Sequence, residues 1–225
     1  MYVDGMFTDG WMRRFAASVS ATETELTALD QAAGDGDFGT NLTAGLDATL
    51  RFLGDPPTGP SDPAAPLRAA ATAFLDEVGG TSGPLFGLLF HELAVAAADA
   101  GAELTVSALA AGAGGGLSAI RRVGEAAPGD KTLVDALAPA CGALRSCDRK
   151  GDPRVALARA ALASWEGVRN TAGLRARRGR ASYVGERASG VPDPGAVGIA
   201  LLFSSSAESV TSLAPHLAEP TAVAR

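Results

Sequence analysis

The stretch "LTALDQAAGDGDFGTNLTAGL" runs from Leu26 to Leu46, and its centre carries three carboxylates within eight residues, Asp30, Asp35 and Asp37. Gly34, Gly36 and Gly39 stand among them, and almost no basic residue is near. Like charges this close repel, so either water screens them or a cation binds between them. Upstream, Phe7, Trp11, Phe15 and Val19 recur at helical spacing; downstream, Leu42, Leu46 and Leu50 do the same. The acidic stretch therefore reads as a loop between two helices. "SATE" at Ser20–Glu23 has the pattern of a capping box, which predicts that a second helix starts there and runs to about Asp30.

Working outward, the Pro-rich "GDPPTGPSDP" is a surface connection, and helical pattern resumes from Pro63 to about Val78. Leu85, Leu89 and Leu93 share one face of the next helix, which follows "GGTSGP" at Gly79–Pro84. Further helices are expected over Val106–Val123, Lys131–Cys147, Pro153–Leu174 and Gly195–Ala214, with Pro139 kinking its own. No alternating apolar run reads as a strand. The expectation is an all-α protein of about eight helices joined by short loops, a single domain over residues 1–225 with 215–225 as a loose tail.

Composition agrees. The chain has 225 residues, 47% of them apolar and only 5% aromatic, and Ile occurs only at Ile120 and Ile199. Alanine-rich chains poor in β-branched and aromatic residues favour closely packed helices over sheet. A formal charge of −6 and a pI near 4.9 argue against a nucleic-acid partner. Cys141 and Cys147 are too few for a disulfide framework or a zinc site and read as buried helical thiols. The N-terminus has no apolar signal region, and the uncharged run Leu104–Ile120 is too short and Gly-rich to span a bilayer. The expectation is a cytoplasmic protein with no membrane partner.

Four stretches carry possible chemistry. The first is the acidic loop. Mg²⁺ takes oxygen ligands, often one or two carboxylates together with substrate phosphates, and three aspartates at a helix end suit two such ions sharing a nucleotide. A calcium-binding EF-hand starting at Asp35 is excluded, since its twelfth position is Leu46 and its glycine slot holds Thr40. A solvated acidic turn with capping carboxylates is the plain alternative. In the second, "GGTSGP" before a helix supplies backbone N–H groups, two hydroxyls and a positive dipole end suited to phosphate. The third, "GEAAPGDKT" at Gly124–Thr132, nearly spells a P-loop, but Asp130 separates Gly129 from Lys131 and a helix precedes it where a strand is needed. It is not a P-loop, though its backbone can still border a nucleotide. The fourth, "RARRGRASYVGERASGVPDPGA" at Arg175–Ala196, gathers arginines in a chain otherwise short of positive charge, suited to clamping phosphate.

Together, "LDxxxGDGDxGxN", "GGTSGPLFG", "PGDKT" and "GRASYVGER…PDPGA" resemble the nucleotide-binding L subunit of dihydroxyacetone kinase, in order and spacing, from about Leu26 to Ala196. The resemblance implies an antiparallel eight-helix barrel with the nucleotide, ADP or ATP, on loops at one end. It implies Asp30, Asp35 and Asp37 as ligands of two Mg²⁺ ions. Phe38, Gly39, Thr40 and Asn41 fall in the nucleotide-contacting turn, Thr81 and Ser82 in the phosphate loop, and Gly124 and Leu133 at the adenine pocket. Arg180 matches a phosphate-contacting arginine and the candidate catalytic group, while Pro192, Asp193 and Pro194 match the closing loop. Phe38 stands where the family usually has His, so any polar contact by that side chain is lost. Leu133 replaces a common Met.

The resemblance also implies a division of labour. A separate K subunit holds dihydroxyacetone covalently through a His, and this chain supplies nucleotide, metal and charge stabilisation. His91 and His216, the only histidines, lie outside all four stretches, in keeping with that division. Family members either exchange ADP for ATP or keep ADP and rephosphorylate it from a phosphotransferase-system protein; the absence of a fused K domain points to the second. The alternatives are a kinase subunit for a related ketose such as erythrulose, and a nucleotide-loaded regulatory or binding module with little catalysis.

Overall fold

A computed structural model describes residues 3–179 and 181–218. The described residues are all-α and hold ten α-helices and a short 3₁₀ turn. The long helices are α1 (Gly5–Ala33), α2 (Phe38–Leu53), α3 (Ala64–Asp76), α4 (Ser82–Ala100), α5 (Val106–Gly124), α6 (Val134–Ser146), α7 (Pro153–Thr171) and α9 (Pro194–Ser204). Two single-turn helices, α8 (Ala181–Val184) and α10 (Ala214–Leu217), lie before and after α9.

Most of these helices begin and end close to where the sequence predicts, but the helix expected over Gly195–Ala214 stops at Ser204, and the first two expected helices are one. The helix α1 runs 29 residues straight through Ser20–Glu23. Its hydroxyls are committed within and across helices instead of capping a new one. Thr22 Oγ1 donates to the Ser18 carbonyl, and Ser18 Oγ bonds both the Arg14 carbonyl and Ser205 Oγ, each at 2.8 Å. Such back-bonding to the preceding turn lets Ser and Thr sit inside a helix. Pro139 lies within α6 without ending it.

Each long helix packs on the next in the chain, and α9 packs on both α7 and α1, closing the circuit. One contiguous apolar core results, with Trp11, Phe15, Phe74, Phe86, Phe90 and Phe203 among its largest fully buried side chains. Phe74 bridges Phe86 and Phe90 at centroid distances of 5.9 and 5.3 Å. Trp11 Nε1 donates to the Leu202 carbonyl at 2.6 Å, and the Arg14 guanidinium takes the carbonyls of Ser205 and Ser206, fastening the start of the chain to the end of α9. Trp165 on α7 stacks on His216 at 4.5 Å, and its Nε1 donates to Ser204 Oγ at 2.9 Å. Burial pushes the Cys141 thiol up to about 11, leaving it inert. No helix among the described residues is long and apolar enough to cross a membrane.

Small residues set how closely these helices approach. A Cβ on Gly167 would meet the Asp135 carbonyl and come within 3.0 Å of the Ala136 Cα, so α7 crosses α6 at backbone contact. Gly142, by contrast, has nothing within 4 Å of the position its Cβ would take. Gly167→Ala should therefore destabilise the fold by about 1–3 kcal/mol through overpacking. Gly142→Ala in the adjoining helix should stabilise it by about 0.5–1 kcal/mol through helix propensity. Thermal and urea denaturation of the two variants measures both; equal effects would place the α6–α7 contact elsewhere.

Candidate functional site

Four connections, α1–α2, α3–α4, α5–α6 and α7–α9, contribute to one cleft. Its walls include Asp30, Asp35, Asp37, Phe38 and Asn41 from the first, Thr81 and Ser82 from the second, Gly124 and Leu133 from the third, and Asp193 and Pro194 from the fourth. The four motif stretches, distant in sequence, thus meet at one end of the helical circuit. The N-termini of α2, α4, α6 and α9 all supply lining residues. Helix N-termini present unsatisfied N–H groups and a positive dipole end, the setting in which anions bind.

At one wall, oxygens of Asp30, Asp35 and Asp37 lie within 4.8 Å of one another. Asp30 is nearly buried, at 7% exposure, and its Oδ2 accepts the Phe38 amide at 2.9 Å, which fixes the carboxylate across the start of α2. Asp37 occupies the N-cap position of α2 but makes no side-chain cap bond. The plain alternative, an acidic turn whose carboxylates serve as caps, therefore does not describe Asp37. Three hard oxygen donors at this spacing fit a divalent cation such as Mg²⁺.

The adjoining walls differ in character. Thr81 and Ser82 open α4 with no side-chain cap of their own, leaving the helix end and both hydroxyls on the cleft. Leu85, Ile120, Ala126, Leu133 and Val134 form an apolar wall. A cleft with an acidic corner, a hydroxyl-bearing helix end and an apolar wall offers places for cation, phosphate and a flat base respectively.

Phe38 lines the cleft yet is only 4% exposed, with its ring 6.3 Å from that of Phe86. Gly198 on α9 makes room for it, since a Cβ there would come within 3.0 Å of the Phe38 ring. Gly39 and Thr40 turn from the cleft towards α1: Gly39 packs against Thr27 and Glu23, and Thr40 reaches Glu23 Oε1 at 3.5 Å. Pro192 is not among the lining residues, and Arg180 lies outside the described residues.

The "PGDKT" loop owes its shape to Asp135. Its two carboxylate oxygens accept the amides of Gly129 and Thr132, at 2.5 and 2.8 Å. Amides that a P-loop would offer to phosphate are thus committed to the protein, which gives the rejection of that motif a physical basis. Lys131, the residue the sequence reading passed over, lines the cleft with 1% exposure, and its ammonium donates to the Thr171 and Val191 carbonyls at 2.7 Å each. Burial lowers its pKa, while Asp193 and Asp135 pull the other way. Asp193 caps α9 through the Ala196 amide at 2.7 Å. Burial pushes its carboxyl up to about 7 against that hydrogen bond; nearby Asp135 adds to the rise, Lys131 opposes it and Asp30 adds slightly. Arg178, also on the cleft, pairs with Glu125 at 3.4 Å and Asp130 at 3.9 Å. The signal for Lys131 was present in its being one of two lysines, but its acceptors are backbone carbonyls 40 and 60 residues away and have no sequence signature.

A helical fold whose alternate loops build a cleft for a cation and an anion defines the class. Within it, the DAK2 domain profile matches residues 32–208, and the chain belongs to that family, homologous to the dihydroxyacetone kinase L subunits. It is 35% identical over 204 residues to the L-erythrulose 1-kinase of Mycolicibacterium smegmatis, covering 89% of this chain and 35% of that one. It is also 35% identical over 195 residues to the ADP-binding subunit DhaL of the PEP-dependent dihydroxyacetone kinase of Escherichia coli, covering 86% of this chain and 91% of that subunit. The crystal structure of the C. freundii dihydroxyacetone kinase with AMP-PNP and Mg²⁺ matches at a TM-score of 0.67 and 26% identity, over 91% of this chain and 34% of that one. The chain spans about a third of the length of the erythrulose kinase and of the C. freundii enzyme.

Because the Phe38 ring packs on Phe86, Phe38→His would bury an imidazole among aromatic rings. A cost of about 1–3 kcal/mol is expected. The buried imidazole would have its pKa depressed, so the unfolded state binds more protons and the loss should deepen as pH falls through about 6.5. Melting temperatures of both proteins between pH 5 and 8 measure this, and a pH-independent difference would place the ring in water.

Proposed function

We propose that this chain is the Mg-nucleotide module of a kinase of the dihydroxyacetone type, binding ADP or ATP and transferring a phosphoryl group to dihydroxyacetone held on a partner K subunit. The observation that carries the reading is the convergence of three aspartate carboxylates and the uncapped N-terminus of α4 on one cleft. The kinase names of the relatives, and the AMP-PNP and Mg²⁺ of the related crystal structure, support it. The closed circuit of helices supports the eight-helix barrel the resemblance implies, with the nucleotide on loops at one end.

In this reading Asp30, Asp35 and Asp37 hold two Mg²⁺ ions, which when bound neutralise charge on the nucleotide phosphates. Thr81, Ser82 and the α4 amides take phosphate oxygens, with Asn41 beside them. Gly124 and Leu133 border the base, together with the apolar wall from Leu85 to Val134. Arg180, from the resemblance, stabilises charge on the transferring group, and Asp193 with Pro192 and Pro194 shapes the closing side. Phosphoryl transfer needs positioning and electrostatics more than covalent help from the protein, so these groups suffice without a general base on this chain.

The E. coli relative is the ADP-binding subunit of a PEP-dependent kinase, which supports retention of ADP and its rephosphorylation by a phosphotransferase-system protein. A second acceptor, erythrulose, is favoured by the M. smegmatis relative. Both acceptors would be held by the partner, so the cleft described here serves either.

Asp35→Asn should weaken Mg²⁺-dependent ADP affinity by roughly tenfold or more and leave the helical spectrum unchanged. Calorimetry showing equal Mg²⁺-dependent affinity would sink the metal assignment. The purified chain should bind Mg·ADP yet make no dihydroxyacetone phosphate until a K subunit is added. In that mixture Arg180→Ala should lower kcat by about a hundredfold or more with nucleotide affinity changed far less. Steady turnover by the chain alone would overturn the division of labour.

A further inference from the structure

The connection from α7 to α9, residues 172–193, leaves the helical circuit, contributes Arg178, Gly179 and Ala181 to the cleft, and returns. At its base the two ends are drawn together. The Gly190 amide donates to the Ala172 carbonyl at 3.0 Å, and the Asp193 amide donates to Thr171 Oγ1 at 2.8 Å. Between them sits the Lys131 ammonium, bonded to the carbonyls of Thr171, the last residue of α7, and Val191 on the returning strand of the loop. Lys131 reaches this place from an unrelated loop, and its backbone takes a left-handed φ of 62° to do so. Non-glycine residues hold that conformation at a cost of order 1–3 kcal/mol, sustained only where the surroundings over-determine it.

An ammonium is an expensive group to bury unless its hydrogens find partners. The Gly190–Ala172 bond already joins the loop ends backbone to backbone, so the addition of a buried cation here calls for a reason. The reason is position. Lys131 is one residue from Thr132 and two from Leu133, which line the cleft, while its head holds both the exit of α7 and the approach to Asp193, the cap of α9. One side chain thereby sets the register of three cleft walls at once: the 131–133 segment, the base of 172–193, and the first turn of α9.

We infer that Lys131 is a positioning residue of the nucleotide site, whose ammonium fixes the base of the 172–193 connection and so sets where Arg178, Gly179 and Ala181 stand relative to bound nucleotide. The inference deepens the reading of the cleft as a Mg-nucleotide site and rests on it for the identity of the ligand.

The test uses the full chain with Lys131→Met, which keeps an unbranched side chain of similar length but removes the charge and donors, and with Lys131→Arg. Hydrogen exchange is followed by mass spectrometry well below both melting points. In Lys131→Met, amides of 172–193 should exchange roughly tenfold faster or more, with α1–α5 unchanged. Lys131→Arg keeps the charge and donors, but its larger planar head does not fit a fully buried site closed around a compact ammonium, so it should give a smaller acceleration in the same segment. If Lys131→Met does not fold, Lys131→Arg decides by the same criterion. Mg·ADP affinity, measured by calorimetry on the same proteins, should fall roughly tenfold in Lys131→Met, with the arginine variant between. Exchange at 172–193 equal to wild type, acceleration spread evenly over all helices, or unchanged affinity beside a loosened segment would each overturn the positioning role. Should the wild-type chain bind no Mg·ADP, the reading of the cleft falls, while the exchange comparison still decides what Lys131 holds.

Discussion

Consecutive helices that pack side by side through short connections run in opposite directions, so every second connection emerges at the same end of the molecule. That constraint governs this protein. The α1–α2, α3–α4, α5–α6 and α7–α9 connections share one end and build the cleft. The opposite end is occupied by structural closures: the Gly5 amide on the Ser61 carbonyl, the Leu104 amide on the Val3 carbonyl, and Arg14 on Ser205 and Ser206. Chemistry-bearing residues spread over more than 160 positions need no long-range recognition of their own to meet. They need only lie at the correct ends of helices that pack in order.

Much of this was legible in the sequence because it is local. Helix limits followed apolar spacing and Gly/Pro punctuation, and the acidic loop and "GGTSGP" declared themselves by composition. Where reading failed, the deciding partner was distant. Ser20–Glu23 has the form of a helix start, but Ser18 and Thr22 bond backwards within α1 and Glu25 accepts the Leu213 amide from the far end of the chain. The helical period sorts the residues of the acidic motif: Asp35, Asp37, Phe38 and Asn41 line the cleft, while Gly39 and Thr40 lie towards Glu23 and Thr27. A motif identifies a segment; the helical period decides which of its residues face a ligand.

The role of Phe38 illustrates the same division. As a letter it departs from the pattern that the resemblance implies, directly after the last aspartate of the acidic loop. In the fold it is the first residue of α2, its amide held by Asp30 and its ring against Phe86. Backbone and side chain thus serve different neighbours: the amide fixes a carboxylate in the cleft, and the ring anchors the start of α2 to the aromatic core. An apolar residue at this position ties the geometry of the acidic corner to the packing of the interior.

The two electrostatic features of the cleft have opposite requirements. The acidic corner lies at the C-terminal end of α1, where the helix dipole is itself negative, so three carboxylates and that dipole all call for positive charge. The N-termini of α4, α6 and α9 present the positive ends of their dipoles and call for negative charge. Neither a bare cation nor a bare anion answers both. A cation shared between carboxylates and phosphate does, because it is held by the acidic corner while the phosphate it binds extends towards the helix ends. In an acidic chain with only two lysines, one of them buried on backbone carbonyls, backbone dipoles add to Arg178 in supplying positive potential to the cleft. The ligand these surroundings favour is therefore a metal–phosphate pair, with the apolar wall left for whatever the phosphate is attached to.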